Sequence, residues 1–203
     1  IGSVMAEIGL PSIGNVRARV AAAQLLQRYR LETDPRISGD SAGASLHVLL
    51  SAGQGTNAFP AFERQPVRLY RDPWWPDGPL QNPLSAAAQR PDSLFSRIRG
   101  ANREERAYFE RVASHPAHAE FAIVAHAGAL DAASTRWVLP FPDSLNSLAL
   151  PLPRFAPIRA GARAHVVRAV LHALQGDQGT AEREVREVIS TGFAMMDHGT
   201  TLI

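Results

Sequence analysis

Between Arg159 and Met196 the sequence carries two amphipathic stretches separated by Gly176-Asp177, and this pairing constrains the fold more than any other feature of the chain. In the first stretch Ala162, Val166, Ala169, Val170, Ala173 and Leu174 recur at spacings of three and four. At 3.6 residues per turn they share one helix face. Arg163 and Arg168 fall largely on the other side. Gly176 provides a helix stop, because glycine takes the left-handed conformation without a Cβ penalty. The second stretch is expected to start near Thr180, with its hydroxyl as the cap. Its apolar stripe is Ala181, Val185, Val188, Ile189, Phe193 and Met196. Glu182, Arg183, Glu184, Arg186 and Glu187 are expected to form a solvated face, with Glu182 and Arg186 in the favourable acid-first order.

Leu174-Gln175-Gly176-Asp177 followed by Ala181 resembles the turn of a tetratricopeptide-type (TPR) repeat. In that family a small residue soon after the turn lets two antiparallel helices pack closely. The resemblance covers residues 159–196. Gly128-Ala129-Leu130-Asp131-Ala132-Ala133 is at most a faint echo of a second copy, and arrays usually need about three repeats. The resemblance therefore implies a single TPR-like hairpin, and a plain helical hairpin in an α domain stands beside it.

The 203 residues suit one domain, or one plus a satellite, and 45% hydrophobic content is enough for a core. With no cysteine, disulfides and thiolate metal sites are excluded, and an oxidising, extracytoplasmic compartment is permitted. All 21 basic residues are arginine, which explains a pI near 9.6 at a net charge of only +2. The arginines are not clustered in a block interleaved with aromatics, so nucleic acid is not an expected partner. Arginine does suit ion pairs between chains. The chain begins at Ile1 and ends Thr200-Thr201-Leu202-Ile203, which we read as part of a longer polypeptide. No run of about 18 uncharged apolar residues spans a bilayer inside it.

Elsewhere the pattern is helical and irregular. Residues 15–32 read as a helix with Val16, Val20, Ala23, Leu25 and Leu26 apolar, ended by Pro35. Residues 41–51 form a second helix with Leu46, Leu49 and Leu50 apolar. Glycine and proline punctuate 52–83 too often for regular structure, so it reads as a long loop, of a kind often draped over a partner. Short helices are expected within 84–99, broken at Pro91. Asn102 is a cap for 103–113, and 116–127 is another helix with Phe121, Val124 and Ala125 apolar. Residues 136–158 are again proline-rich. The β-like scraps are 67–70 and 136–139.

Gly39-Asp40-Ser41-Ala42-Gly43 fits G-x-S-x-G, the nucleophile elbow of α/β hydrolases, and resembles the hormone-sensitive-lipase branch of the esterases. That resemblance implies Ser41 as nucleophile. An elbow needs a buried strand before it, and Arg36-Ile37-Ser38 is too short and polar to be one. Neither a His-led run of glycines for the oxyanion nor alternating strands and helices accompany it. Labelling by a fluorophosphonate, abolished by Ser41→Ala, is the discriminating assay. Pro73-Trp74-Trp75-Pro76 spells the motif of the PWWP chromatin readers, without the strands of their β-barrel. Paired tryptophans in a proline-rich loop suit a protein interface or a bilayer–water boundary, with burial over the domain's own core as the plain alternative. The seven histidines show no metal-ligand spacing; His165 and His172 share one helix face, and surface or core histidine is the expected reading. No phosphate loop or dinucleotide fingerprint is present, so no cofactor is expected.

The expected fold is mainly α, with an irregular region over 1–158 and the TPR-like hairpin over 159–203. The expected function is a non-catalytic helical scaffold or accessory subunit of a larger assembly, with a membrane-bound energy-transducing one as a setting. A serine esterase using Ser41 and a soluble peptide-binding regulatory module are the alternatives. Expected partners are other protein subunits, or a membrane surface or membrane protein. Expected contact residues are Phe59, Phe62, Tyr70, Trp74 and Trp75 in the loop and Arg163, Arg168, Arg183 and Arg186 on the hairpin.

Overall fold

A computed structural model describes residues 13–53, 70–77, 91–130 and 155–198, with side chains from 20, 94 and 155 onward in the first, third and fourth segments and up to 197 in the last. Phe59, Phe62, the β-like stretch 136–139 and most of loop 52–83 lie outside these residues. The described structure is mainly α, and no strand occurs in it. Two compact units result, 1–30 and 31–203, and the hairpin belongs to the second.

The first unit holds α1 (Ile13–Leu26), followed by one 3-10 turn, Gln27–Tyr29. The helix ends before the stop expected at Pro35. Its apolar residues are not core: Leu25 is 56% exposed, and Val20, Leu26 and Tyr29 are exposed as well.

The second unit begins with α2 (Gly39–Ser51). Its cap is Ser38, whose hydroxyl accepts the Ser41 amide at 3.1 Å, satisfying one of the free amides of the first turn. The helix is buried nearly all round, through Ala42, Leu46, Val48, Leu49 and Leu50, as befits a core helix. Each such leucine contributes about 1.5–3 kcal/mol by leaving water. α3 (Pro91–Arg99) has proline at its first position, where the missing N–H costs nothing, so Pro91 opens this helix. It buries Leu94 and Ile98, one turn apart. α4 (Arg103–Ala113) starts at a full capping box. Asn102 Oδ1 accepts the Glu105 amide at 2.9 Å, and Glu105 Oε2 accepts the Asn102 amide at 3.1 Å. Arg97 of α3 donates to the other Glu105 oxygen at 3.3 Å, tying α3 to this corner. α4 buries Tyr108, Phe109 and Val112, and α5 (His118–Ala125) buries Phe121, Val124 and Ala125.

The hairpin is α6 (Ala156–Leu174) and α7 (Gln178–His198). Its turn is a Schellman motif: the Asp177 amide bonds the His172 carbonyl at 3.0 Å, and the Gly176 amide bonds that of Ala173 at 3.1 Å. Gly176 has φ 89°, where a side chain would be strained. The cap of α7 is Asp177 rather than Thr180, since Asp177 Oδ1 accepts the Thr180 amide at 3.0 Å. That bond holds the Asp177 carboxyl below its ordinary range. Ala181 is buried on the inner face of α7. α6 packs against α7, α4, α2 and α3, while α5 packs against α7 and α2. The segment 31–37 is strapped across this core. The Leu31 amide donates to Ser190 Oγ at 2.8 Å, His126 Nδ1 to the Glu32 carbonyl at 2.8 Å, and the Asp34 amide to the His126 carbonyl at 2.8 Å.

Candidate functional site

The chemistry-bearing side chains that the fold gathers lie inside it, where α4, α5, α6 and α7 meet. His118 opens α5, one tight turn after α4 ends, so its ring is directed back at its neighbours. Its Nε2 donates to the Val112 carbonyl of α4 at 2.9 Å, and its Nδ1 lies 2.9 Å from Nδ1 of His165 on α6. His165 Nε2 in turn lies 2.9 Å from Glu187 Oε2 on α7. One hydrogen-bonded chain therefore crosses four helices, with both imidazoles 1% exposed. Phe121 covers His165 with ring centroids 4.8 Å apart. Burial, against the Val112 bond, pushes the His118 pKa down to about 3.

A second polar contact runs beside the first, one turn nearer the hairpin tip. Arg168 Nε pairs with Glu184 Oε1 at 2.8 Å, and His172 Nε2 lies 3.6 Å from the same oxygen. Glu184 is 3% exposed, and its Oε2 has no hydrogen-bond partner among the described residues. Burial raises the Glu184 carboxyl above its ordinary range, against the pull of Arg168. Glu184 and Glu187 are thus not part of a solvated face. They point at α6, where His165, Arg168 and His172 form a matching stripe at i, i+3 and i+7. That pair of complementary stripes was the available sequence signal. The His118–His165 contact, across 47 residues, left none.

Trp74 closes the site from the side. Its ring stacks on His115 at 4.3 Å and approaches His118 at 5.1 Å and Phe121 at 6.1 Å. Being 3% exposed, it belongs to the protein's own core and is withdrawn from the expected contact surface. Gly161 makes room for it: a Cβ there would sit 2.6 Å from Trp74 Cε2 and Cζ2. Trp74 Nε1 is buried without a hydrogen-bond partner among the described residues. His115 is fully used, its Nε2 donating to the Asp72 carbonyl at 2.9 Å and its Nδ1 accepting the Ala117 amide at 3.2 Å. Burial lowers its pKa too.

The other expected site residues are dispersed. Trp75 is partly exposed and donates its Nε1 to the Ala160 carbonyl at 3.2 Å. Tyr70, also partly exposed, lies edge-on to His115. Arg163 is exposed, whereas Arg168 is turned into the hairpin against Glu184. Arg183 reaches Thr180 Oγ1 at 3.2 Å and lies 3.8 Å from Glu187, and Arg186 lies 3.7 Å from Glu182. Ser41 is exposed on the first turn of α2, preceded by a turn at 35–37 rather than the strand an elbow needs. Among the described residues no cluster of three or more His, Asp or Glu is arranged to hold a metal ion, and no helix is long and apolar enough to cross a membrane.

Comparison with protein-family models, curated proteins and solved structures returned no match. The site's meaning therefore rests on its geometry. Its groups are buried, and His118, His165 and Glu187 are bonded to one another, an arrangement suited to holding helices in register.

Proposed function

We propose that the chain is a non-catalytic helical scaffold, an accessory subunit that packs against other subunits of a larger assembly, with a membrane-bound machine as its setting. The observation that carries this reading is the apolar surface of α1. Val20, Leu25 and Leu26 of this helix are exposed, and so is Tyr29 in the 3-10 turn that follows it. A 14-residue helix is marginal in water by itself, and exposed apolar side chains make it more so. Packing against a partner removes both penalties.

Two further features support the reading. The α6–α7 hairpin, with buried Ala181 after a Gly-Asp turn, fits the TPR-like interaction unit. Arg163 is exposed, and Trp75 is partly exposed. The test is native purification of the tagged full-length protein from detergent-extracted membranes, beside Leu25→Glu/Leu26→Glu. We expect a stoichiometric set of subunits with the wild type, lost in the double variant at an affinity cost of roughly 2 kcal/mol or more, with unchanged circular dichroism. A wild-type protein that runs as a partner-free monomer, or a double variant that stays assembled, defeats the reading.

A further inference from the structure

We propose that His118, His165 and Glu187 form a one-proton latch: the hairpin stays docked on α4 and α5 while three protons serve the chain's three hydrogen bonds, and loss or gain of one undocks it. The argument is a count of hydrogen-bond valences. A neutral imidazole has one donor and one acceptor nitrogen, an imidazolium has two donors, and an ionised carboxylate only accepts. The Val112 carbonyl only accepts, so His118 Nε2 carries a proton. Burial keeps His118 neutral, which leaves its Nδ1 bare. The two Nδ1 atoms are 2.9 Å apart, so His165 Nδ1 must donate to it. The 2.9 Å contact between His165 Nε2 and Glu187 Oε2 then needs a third proton, on either atom. With three protons the chain is satisfied along its whole length and has no net charge.

Both neighbouring proton counts break it. With two protons, the lone pairs of His165 Nε2 and Glu187 Oε2 face each other and a net negative charge is buried. A fourth proton on His118 Nδ1 would set two N–H groups against each other. On Glu187 Oε1 it would face the guanidinium of Arg183, 3.8 Å away. Arg183, largely exposed and 3.8 Å from Glu187 Oε1, offsets part of the charge of the two-proton state but not its facing lone pairs, and the other surrounding groups relieve neither state. On the α4–α5 turn, His115 has both nitrogens engaged. Glu120 is buried on α5. On α6, Arg168 and His172 are directed at Glu184 of α7. Arg168 itself opposes added positive charge at His118.

Glu187→Gln separates this from an ordinary polar contact. Its amide N–H can donate to a bare His165 Nε2, so the three hydrogen bonds persist with no proton left to lose there. The experiment is urea unfolding of the full chain from pH 7 to 9, below the range where buried Tyr108 contributes, wild type beside Glu187→Gln, with histidine 15N chemical shifts recorded on the wild type. We expect the wild-type folding constant to fall up to tenfold per pH unit over part of this range, and the variant to stay level. We expect His118 as the Nε2–H tautomer and a protonated His165 Nδ1. Parallel curves, a level wild-type curve, or a proton on His118 Nδ1 would overturn the latch. The nitrogen shifts decide the matter should the variant fail to fold.

Discussion

Helix α2 and the seam between α6 and α7 are both removed from water, by opposite chemistry. α2 buries Leu46, Leu49 and Leu50, and for these side chains desolvation itself is the stabilising term. The seam buries His165, Glu184 and Glu187, where desolvation is a cost that partners must offset in the right geometry. An apolar interface accepts any filling of about the right volume, whereas a polar one accepts one register. The seam therefore sets how the hairpin sits, and α2 supplies bulk stability.

The strongest way to break this comparison is one deletion and one conservative change in each region. Glu187→Ala leaves His165 Nε2 buried without a partner and should cost about 1–3 kcal/mol, and Leu49→Ala, from a fully buried site, about 2–5 kcal/mol. The conservative changes should part company. Leu49→Met keeps volume and should cost less than about 1.5 kcal/mol. Glu187→Asp keeps the charge but is one methylene too short for its 2.9 Å contact, and should stay close to the alanine variant. Urea midpoints measure all four. A Glu187→Asp as mild as Leu49→Met would erase the distinction between the two regions.

The same contrast explains what was legible in the sequence. Part of the apolar half was read directly: Leu46, Leu49 and Leu50 mark α2, and the Schellman glycine Gly176 marks the hairpin turn, whereas Val185 and Met196 of the expected α7 stripe, like the apolar residues of α1, are exposed. Asn102 marks the start of α4, because a cap is a local signal. The polar half was not. Periodicity sends charged residues to solvent unless a partner is known, so Glu184 and Glu187 were placed outside. Their partners lie on α6 across the turn, and His118 comes from a helix with no local reason to meet His165. Tertiary context likewise decides whether a tryptophan in a proline-rich loop faces in or out. The slot for Trp74 is a glycine 87 positions away, by the numbering of Gly161 and Trp74.

That slot offers a smaller test. A methyl at Gly161 would lie 2.6 Å from two Trp74 ring carbons, closer than real contacts allow, and the ring is packed against His115 and cannot readily yield. Gly161→Ala should cost about 1–3 kcal/mol by overpacking, despite the usual gain in helix propensity from glycine to alanine. With Trp74→Phe the colliding atoms are gone, and the same substitution should cost less. A double-mutant cycle on thermal unfolding reads the coupling. An additive cycle would mean that Trp74 is not held against α6.

The smallest effect per step, and the one that sharpens the comparison most, is acid sensitivity. His118 has a pKa of about 3 when folded, against 6.5 ordinarily. Between these values the unfolded chain binds a proton that the folded one refuses, so stability falls as pH drops. The slope for one such proton is about 1.4 kcal/mol per pH unit. His115, also lowered by burial, adds in the same direction. Glu184 acts oppositely: its raised pKa lets the folded state take a proton before the unfolded one, so its contribution grows as pH falls towards 4.5. Asp34, held at about 2 by its bonds to Arg36, and Asp177, lowered by Thr180, subtract only once pH passes below the ordinary carboxylate range near 3.8. In the window from pH 6.5 to 5 the two histidines act together against Glu184, and the two aspartates do not yet contribute. Wild-type urea midpoints should fall through it. The Leu49→Ala decrement should stay constant across it, because that side chain's contribution binds no proton. Midpoints that do not move between pH 6.5 and 5 in a Glu184→Gln background, where the opposing carboxyl is gone, would mean that His118 takes its proton as readily in the fold as out of it, and the seam would then be no more exacting than the leucines of α2.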